Sequence, residues 1–359
     1  MTKITNIKKI SIELNGNILI CETILNVPDE KSPQFAFYVF RNEKRIHTAW
    51  YTKSSAFEFD TSGTPGYYRV ETFVKYSDGT VEITKSAPIF ANPVEISTDS
   101  LPAVSTQEVT YLLKGKTWDF PALYYPNESK TLFVMMPSAI NRQKMILPVF
   151  SRWTWALKGI FPGSVLCVAD PTLDLDDQLQ LGWLLGNKEH CATAELAEFV
   201  VKFAQLQGIP NDKIIIYGSS AGGFAALALA AHIEGSVAVA INSQTDALSY
   251  EIAKQVALVR KFCFDDLSED AIRRDYADRV DMTSRWKNVK SSKVFLVQNE
   301  LDIHHYDVHF KPFWKALGGG LESEFSYSNQ HRAWIYRQEG GHVPETIEMA
   351  QKIISMLGL

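Results

Sequence analysis

The feature that most constrains this chain is the junction that begins at residue 214. Ile214-Ile215-Ile216-Tyr217 runs directly into Gly218-Ser219-Ser220-Ala221-Gly222, and after Gly223 comes the helix-forming stretch Phe224-Ala225-Ala226-Leu227-Ala228-Leu229. A buried strand, a turn with glycine on both sides of a serine, and a helix therefore follow one another without a spacer. Glycine permits so sharp a turn because it brings no Cβ to clash, and the turn holds Ser220 at the C-terminal edge of whatever sheet the strand joins. By composition alone a G-x-S-x-G pattern arises in about a tenth of chains this long. Its position between an apolar strand and a helix is what makes it informative.

The chain around this junction has one texture from about residue 106 onward. Apolar runs at Thr131 to Met136, Ser164 to Ala169, Lys213 to Tyr217, Ser236 to Ile241, Lys293 to Gln298 and Ala333 to Tyr336 alternate with helical patterns, clearest at Ala194 to Leu206 and Gly222 to His232. Strands that read as continuous apolar runs are buried on both faces, so the pattern predicts an α/β domain with a mainly parallel sheet and helices on both sides. Val109 to Leu113 and Pro121 to Tyr125 are expected as its antiparallel edge.

Before residue 92 the texture is different. Short strands rich in β-branched and aromatic residues are separated by turns such as Leu14-Asn15-Gly16-Asn17 and Ser77-Asp78-Gly79-Thr80, with no helical stretch between them. Phe35, Phe37 and Val39 alternate, as do Tyr68, Val70, Thr72 and Val74, and this predicts a small immunoglobulin-like β-sandwich. Tyr67 and Tyr68 follow Thr64-Pro65-Gly66 into a strand, which resembles the tyrosine corner of such sandwiches. The expected organisation is residues 1–92 as sandwich, 93–105 as a proline-bounded linker and 106–359 as the α/β domain.

Charge and cysteine content exclude several function classes. The 36 Lys and Arg against 41 Asp and Glu give a net charge of -5, and no basic block could neutralise a run of phosphates, so nucleic acid is not an expected partner. Cys21, Cys167, Cys191 and Cys263 are too few and too scattered for a disulfide framework or a zinc site and read as reduced thiols. No run is long enough for a membrane span, and Met1 to Ile10 lacks the apolar segment of a secretory signal, which makes the cytoplasm the default location.

A serine hydroxyl needs a base to remove its proton, and the base needs a carboxylate to fix its tautomer. Both occur late in the chain. Val294 to Val297 leads into Gln298-Asn299-Glu300-Leu301-Asp302, which is expected to place Asp302 in the loop at the C-terminal edge of the next-to-last strand, with Glu300 in reserve. The last strand leads through Arg337 to Gly341 into His342, ahead of a terminal helix from Glu345 to Met356. Ser220, Asp302 and His342 are thus the candidate catalytic residues. The cluster Asp302, His304, His305, Asp307 and His309 has a metal-binding composition, but the triad reading of Asp302 competes with it, and no metal is expected.

From about residue 106 to 359 the chain resembles the α/β-hydrolase superfamily, by the elbow at Ser220 and the order Ser220, Asp302, His342. The resemblance implies a serine nucleophile, a covalent acyl-enzyme and an oxyanion hole built partly from the amide after the nucleophile, that of Ala221. The second donor should follow the strand Leu132 to Met136, where Pro137-Ser138-Ala139-Ile140-Asn141 lacks the HGGG form of many lipases; Ser138 or Ala139 is expected there.

Trp153, Trp155 and Trp183, with Arg152 beside the first and Asp170-Pro171-Thr172 before the last, make the segment ahead of the elbow rich in tryptophan. Aromatic faces suit sugar rings, and Asn141, Arg152, Trp153, Asp170 and Trp183 are the candidate substrate contacts. An elbow with a second glycine, a β-sandwich in front and a cytoplasmic address resemble bacterial carbohydrate esterases and the O-acetyltransferases of surface-polysaccharide synthesis. The expected function is acyl transfer at an ester of an O-acylated carbohydrate, with no required cofactor and with acetyl-CoA as acyl donor if the enzyme is a transferase. A serine peptidase and a non-catalytic binding scaffold are the alternatives.

Overall fold

The computed structural model describes residues 6–26, 32–101, 105–320 and 324–359. It divides into two compact units, one formed by Met1–Val94 with Gln143–Pro148, the other by Glu95–Arg142 with Val149–Leu359.

The first unit is all β. Its strands are β1 (Ile7–Asn15), β2 (Ile18–Leu25), β3 (Gln34–Arg41), β4 (Lys44–Thr52), β5 (Ala56–Asp60), β6 (Gly66–Lys75), β7 (Val81–Lys85) and β8 (Ile89–Ala91). One sheet runs β1-β2-β5 and the other β4-β3-β6-β7, with β8 paired to β6; the pairings are antiparallel. The alternation in sequence is the alternation in space: Leu19 and Cys21 from one sheet and Phe35, Phe37, Val39, Val70 and Val74 from the other form a single core. Tyr68 adds a tyrosine corner, its hydroxyl donating to the Thr64 carbonyl at 2.9 Å. At the β1–β2 hairpin Asn15 pairs with Ile18, so Gly16 and Asn17 form the loop, and Gly16 takes the positive φ of 58° that this tight connection favours.

The second unit contains a sheet whose strands are β9 (Val94–Ser97), β10 (Val109–Lys114), β11 (Asp119–Tyr125), β12 (Leu132–Met135), β13 (Ser164–Val168), β14 (Ile214–Ser219), β15 (Val237–Ile241), β16 (Lys293–Asn299), β17 (Phe325–Ser328) and β18 (His331–Tyr336). The order is β17-β18-β16-β15-β14-β12-β13-β11-β10-β9. From β13 to β18 the neighbouring pairs are parallel, while β10, β11 and β17 pair antiparallel at the two margins. After β12 the chain crosses to β13 on one side and then to β14 on the other. That reversal is the switch point where open α/β sheets place their ligands, at the carboxyl ends of the strands.

Two elements differ from the sequence expectation. Part of the expected linker is strand β9 at the sheet margin, and residues 102–104 of it lie outside the described residues. The edge strand β17 stands between β16 and β18 in the chain, so Asp302 follows not the next-to-last strand but the one before it; four residues flanked by polar turns carry too short a period to be read. Among the described residues no helix is long and apolar enough to cross a membrane.

Candidate active site

Strand β14 ends at Ser219, and Ser220 turns the chain directly into the helix Ala221–Ala230. Ser220 sits at φ 53° and ψ -122°, a region an L-residue occupies only when its surroundings enforce it. The glycines show what does so. A Cβ on Gly218 would lie 2.1 Å from the Gly222 carbonyl oxygen, and one on Gly223 would lie 2.6 Å from the Ser243 Cβ. Every residue of the helix is buried, which explains its lack of a polar face. The Ser220 amide donates to the Ile241 carbonyl of β15 at 2.9 Å, tying the elbow to the neighbouring strand.

The ends of β15, β16 and β18 supply the other groups. Asp302 donates its amide to the Asn299 carbonyl at 3.1 Å, and its carboxylate is buried, with a side chain 6% exposed. His342 Nδ1 lies 2.5 Å from Asp302 Oδ2, and its ring is 38% exposed. Glu300 is turned the other way, onto Arg337 at 3.0 Å. Burial by itself would raise the Asp302 pKa, but hydrogen bonds from His305 and His342 and the charge of both rings outweigh it and hold the carboxyl well below the usual carboxylate range.

The structure adds a second histidine to that carboxylate. His305 Nδ1 lies 3.0 Å from Asp302 Oδ1, and the His305 ring stacks on His342 with centroids 4.2 Å apart and planes inclined by 19°. His305 begins a π-helical turn, His305–Phe310, a rare geometry that recurs at functional sites. Ser220 Oγ accepts from Gln244 Nε2 at 3.1 Å, and the same nitrogen lies 2.7 Å from His305 Nε2.

Of the metal-type cluster, Asp302 and His305 meet, and with His342 they bring one donor atom each within 4.8 Å of one another. Both imidazoles address the carboxylate through Nδ1 at hydrogen-bond lengths. The remaining members turn elsewhere: His304 Nε2 to the Ser249 carbonyl, Asp307 to Lys311, and His309 Nδ1 to the Thr245 amide.

Two brackets hold the loop that carries His342. Asn299, fully buried, donates through Nδ2 to the carbonyls of Gln338 and Gly341, both at 2.8 Å. Gly340 and Gly341 adopt φ 98° and 69°, where a side chain would be strained. Beyond His342, Glu345 accepts from Arg152 Nε and Nη2 at 2.9 and 2.6 Å, and the Tyr217 hydroxyl donates to its other oxygen. Arg152 Nη2 also reaches Ser219 Oγ at 2.8 Å. The pair is almost wholly buried, with side chains 8% and 2% exposed. Burial opposes the charge on Arg152, but Glu345 more than compensates and raises its pKa.

These contacts revise several expected substrate contacts. Arg152 is committed to Glu345 and Ser219, so it braces the elbow. Asp170 is buried and accepts from the amides of Thr172 and Leu184 at 2.9 and 3.0 Å, which gives it a structural partner set. Trp183 is buried, and its indole donates to Gln244 Oε1 at 3.3 Å. Asn141 is exposed, and Trp153 is half-buried at the start of the short helix Trp153–Leu157. On the oxyanion side, Ala221 opens the elbow helix, the Ser138 amide donates to Ser151 Oγ at 3.2 Å, and Ala139 follows at an exposed position.

Gln244, Asn299, His305 and Glu345 stand at the centre of this network, and the sequence reading assigned none of them a role in it. One signal was present: Asn242-Ser243-Gln244-Thr245 is a polar run immediately after a wholly apolar strand.

No protein-family profile matches the chain, and no curated protein matches it. Among solved structures it is similar to the capsule O-acetyltransferase of Neisseria meningitidis serogroup A, with 14% identity, a TM-score of 0.52, and coverage of 71% of this chain and 95% of that one. A mutant of that enzyme in complex with CoA gives 13% identity, a TM-score of 0.52, and coverage of 70% and 94%. A glycosylation associate protein complex from Streptococcus agalactiae covers 99% of this chain and 71% of that chain at 12% identity and a TM-score of 0.49. The second unit has the α/β-hydrolase fold.

Proposed function

We propose that this protein is a serine-dependent acyltransferase or esterase that carries its acyl group on Ser220 and acts on an O-acylated carbohydrate. The observation that carries the reading is the elbow itself: Ser220 held at φ 53° where β14 meets its helix, with the Asp302–His342 pair at 2.5 Å at the same edge of the sheet. A strained nucleophile position is retained where the surroundings are built to keep it.

In this reading His342 uses Nδ1 on Asp302 and has Nε2 free for chemistry. Ser220 Oγ attacks the acyl carbonyl carbon while its proton passes to His342, and the oxyanion is met by the Ala221 amide and a donor of the 137–141 loop. Collapse breaks the bond to the leaving oxygen, or to the sulfur of an acyl thioester, and His342 returns the proton to that group. A sugar hydroxyl or water then attacks the acyl-enzyme and gives its proton to His342; the bond from the acyl carbon to Ser220 Oγ breaks, and His342 returns the proton to Ser220. The fold is shared with an enzyme described as a capsule O-acetyltransferase and solved in a complex with CoA, which supports acetyl-CoA as donor and a saccharide as acceptor.

The test is a substrate panel run beside Ser220→Ala: acetylated saccharides, acetyl-CoA with acceptor glycans, long-chain lipid esters and dipeptide amides. Release of acetate from a saccharide, or transfer of acetyl to one, is expected to exceed the other activities and to vanish in the variant. Ser220-dependent cleavage of amides alone would replace this reading with a peptidase, and absence of any turnover or labelling with a binding scaffold.

A further inference from the structure

We propose that Gln244 and His305 are positioning residues that hold the Ser220 hydroxyl and the Asp302 carboxylate for the chemistry of His342. The inference rests on the reading of Ser220 and His342 given above.

The argument follows the hydrogens. The Trp183 indole nitrogen can only donate, so the Gln244 atom facing it at 3.3 Å is the amide oxygen. The other end of the amide is then the NH2 group, and its two hydrogens match its two neighbours, Ser220 Oγ at 3.1 Å and His305 Nε2 at 2.7 Å. His305 Nε2 must accept, which puts its proton on Nδ1, where it donates to Asp302 Oδ1 at 3.0 Å. Each polar atom along the path Trp183, Gln244, His305, Asp302, His342 thus has one consistent role.

The Gln244 NH2 thus faces a ring nitrogen that accepts, and His305 is held as the tautomer with its hydrogen on Nδ1. The groups around the His305 ring are Asp302, Gln244, the stacked His342 and the rings of His304 and His309 at 5.7 and 5.4 Å. His305 is 1% exposed, so it exchanges no partner with solvent. When His342 takes the proton of Ser220, it lies against the stacked His305 ring at 4.2 Å and a carboxylate held in place from its other oxygen. That is the arrangement expected of a pre-set second layer around a triad.

Packing and positioning make opposite predictions for two substitutions. His305→Phe keeps the stacked ring and loses the hydrogen bond to Asp302, whereas His305→Asn loses the ring and keeps a donor in reach. The experiment measures kcat and KM for the ester that the wild type turns over, and the rate of fluorophosphonate labelling. His305→Phe is expected to lower kcat and the labelling rate about 100-fold with KM unchanged. His305→Asn should retain most of both. Gln244→Glu, nearly isosteric but without the NH2 donor, should resemble His305→Phe. The reverse order of the two His305 variants, or wild-type rates in Gln244→Glu, would overturn the proposal. A measurement on the unaltered protein covers any variant that fails to fold: nitrogen-15 NMR should find His305 protonated at Nδ1 only, and a proton on Nε2 overturns the assignment. If the wild type itself is not labelled at Ser220, the functional reading falls and this proposal with it; wild-type labelling with unchanged variants overturns this proposal alone.

Discussion

The core of the β-sandwich and the strand ends around Ser220 are both buried, yet they are built from different material. In the sandwich Leu19, Cys21, Phe35, Phe37, Val39, Val70 and Val74 fill the space between the sheets, and the buried Thr23 and Thr72 hydroxyls answer each other at 3.3 Å. At and past the ends of β15 and β16 the buried polar residues include Asn242, Ser243, Gln244, Thr245, Gln298, Asn299, Asp302, His305 and His309. Each buried polar group costs stability unless it is hydrogen-bonded, and a hydrocarbon core would avoid that cost. Stability therefore gives no reason for the second arrangement. Holding a hydroxyl, a carboxylate and an imidazole at fixed separations does.

The sharpest way to break this contrast is at Ser220. Ser220→Ala should abolish ester turnover, a loss of about 10⁴-fold or more, and His342→Ala should cost nearly as much, because members of such a unit do not act additively. Thermal unfolding of both variants should stay close to that of the wild type. Near-normal turnover in either would end the assignment of the polar region to catalysis.

Matched substitutions in the two regions sharpen it. Glu345→Gln leaves the buried Arg152 without its counter-charge and should cost about 3–5 kcal/mol in denaturant unfolding while also slowing Ser220 labelling. Phe37→Ala in the sandwich core should cost a similar 3–5 kcal/mol. Labelling of Ser220 below the unfolding transition should not change in that variant. Slowed labelling in Phe37→Ala would show that the sandwich core supports the chemistry as well.

A smaller effect is expected from acid. Burial, reinforced by the charge of His305 and His304, pushes His309 down to about 3, whereas an unfolded histidine titrates near 6.5. The folded state then binds fewer protons than the unfolded one, so the stability from neutral His309 is full above about pH 6.5 and is lost as pH falls toward 3. Asp302, also held low, adds its loss only beneath the ordinary carboxylate range near 3.9. Urea midpoints followed from pH 7 to pH 4 should fall less steeply in His309→Asn; an unchanged slope would mean that His309 is not held neutral. The least effect is expected from EDTA, which should leave turnover intact because the proposed mechanism draws its nucleophile from Ser220 and His342. Loss restored by zinc or manganese would reassign Asp302, His305 and His342 to a metal.

Much of the fold was legible because its signals are local. Period-two alternation marked β3 and β6, continuous apolar runs marked β12 to β16, and glycine at 218, 222 and 223 marked the elbow. The β17 edge was not legible, since a four-residue strand with two exposed aromatics carries no period of its own. Arg152 and Asp170 were visible as polar residues near the site, but sequence offers no means of telling a ligand contact from a buried brace. That distinction depends on partners 193 residues away for Arg152, in Glu345, and 14 residues away for Asp170, in the Leu184 amide.

The sequence by itself determined the alternation of strands and helices, the elbow and the order of Ser220, Asp302 and His342, because periodicity and glycine freedom act within a few residues. Only the tertiary structure decided that one carboxylate serves two stacked histidines and that an amide pinned by Trp183 reaches the Ser220 hydroxyl. The physical reason is strand order. Placing β15 between β14 and β16 sets Gln244 beside Ser220 and His305, and no local pattern encodes which strand ends become neighbours.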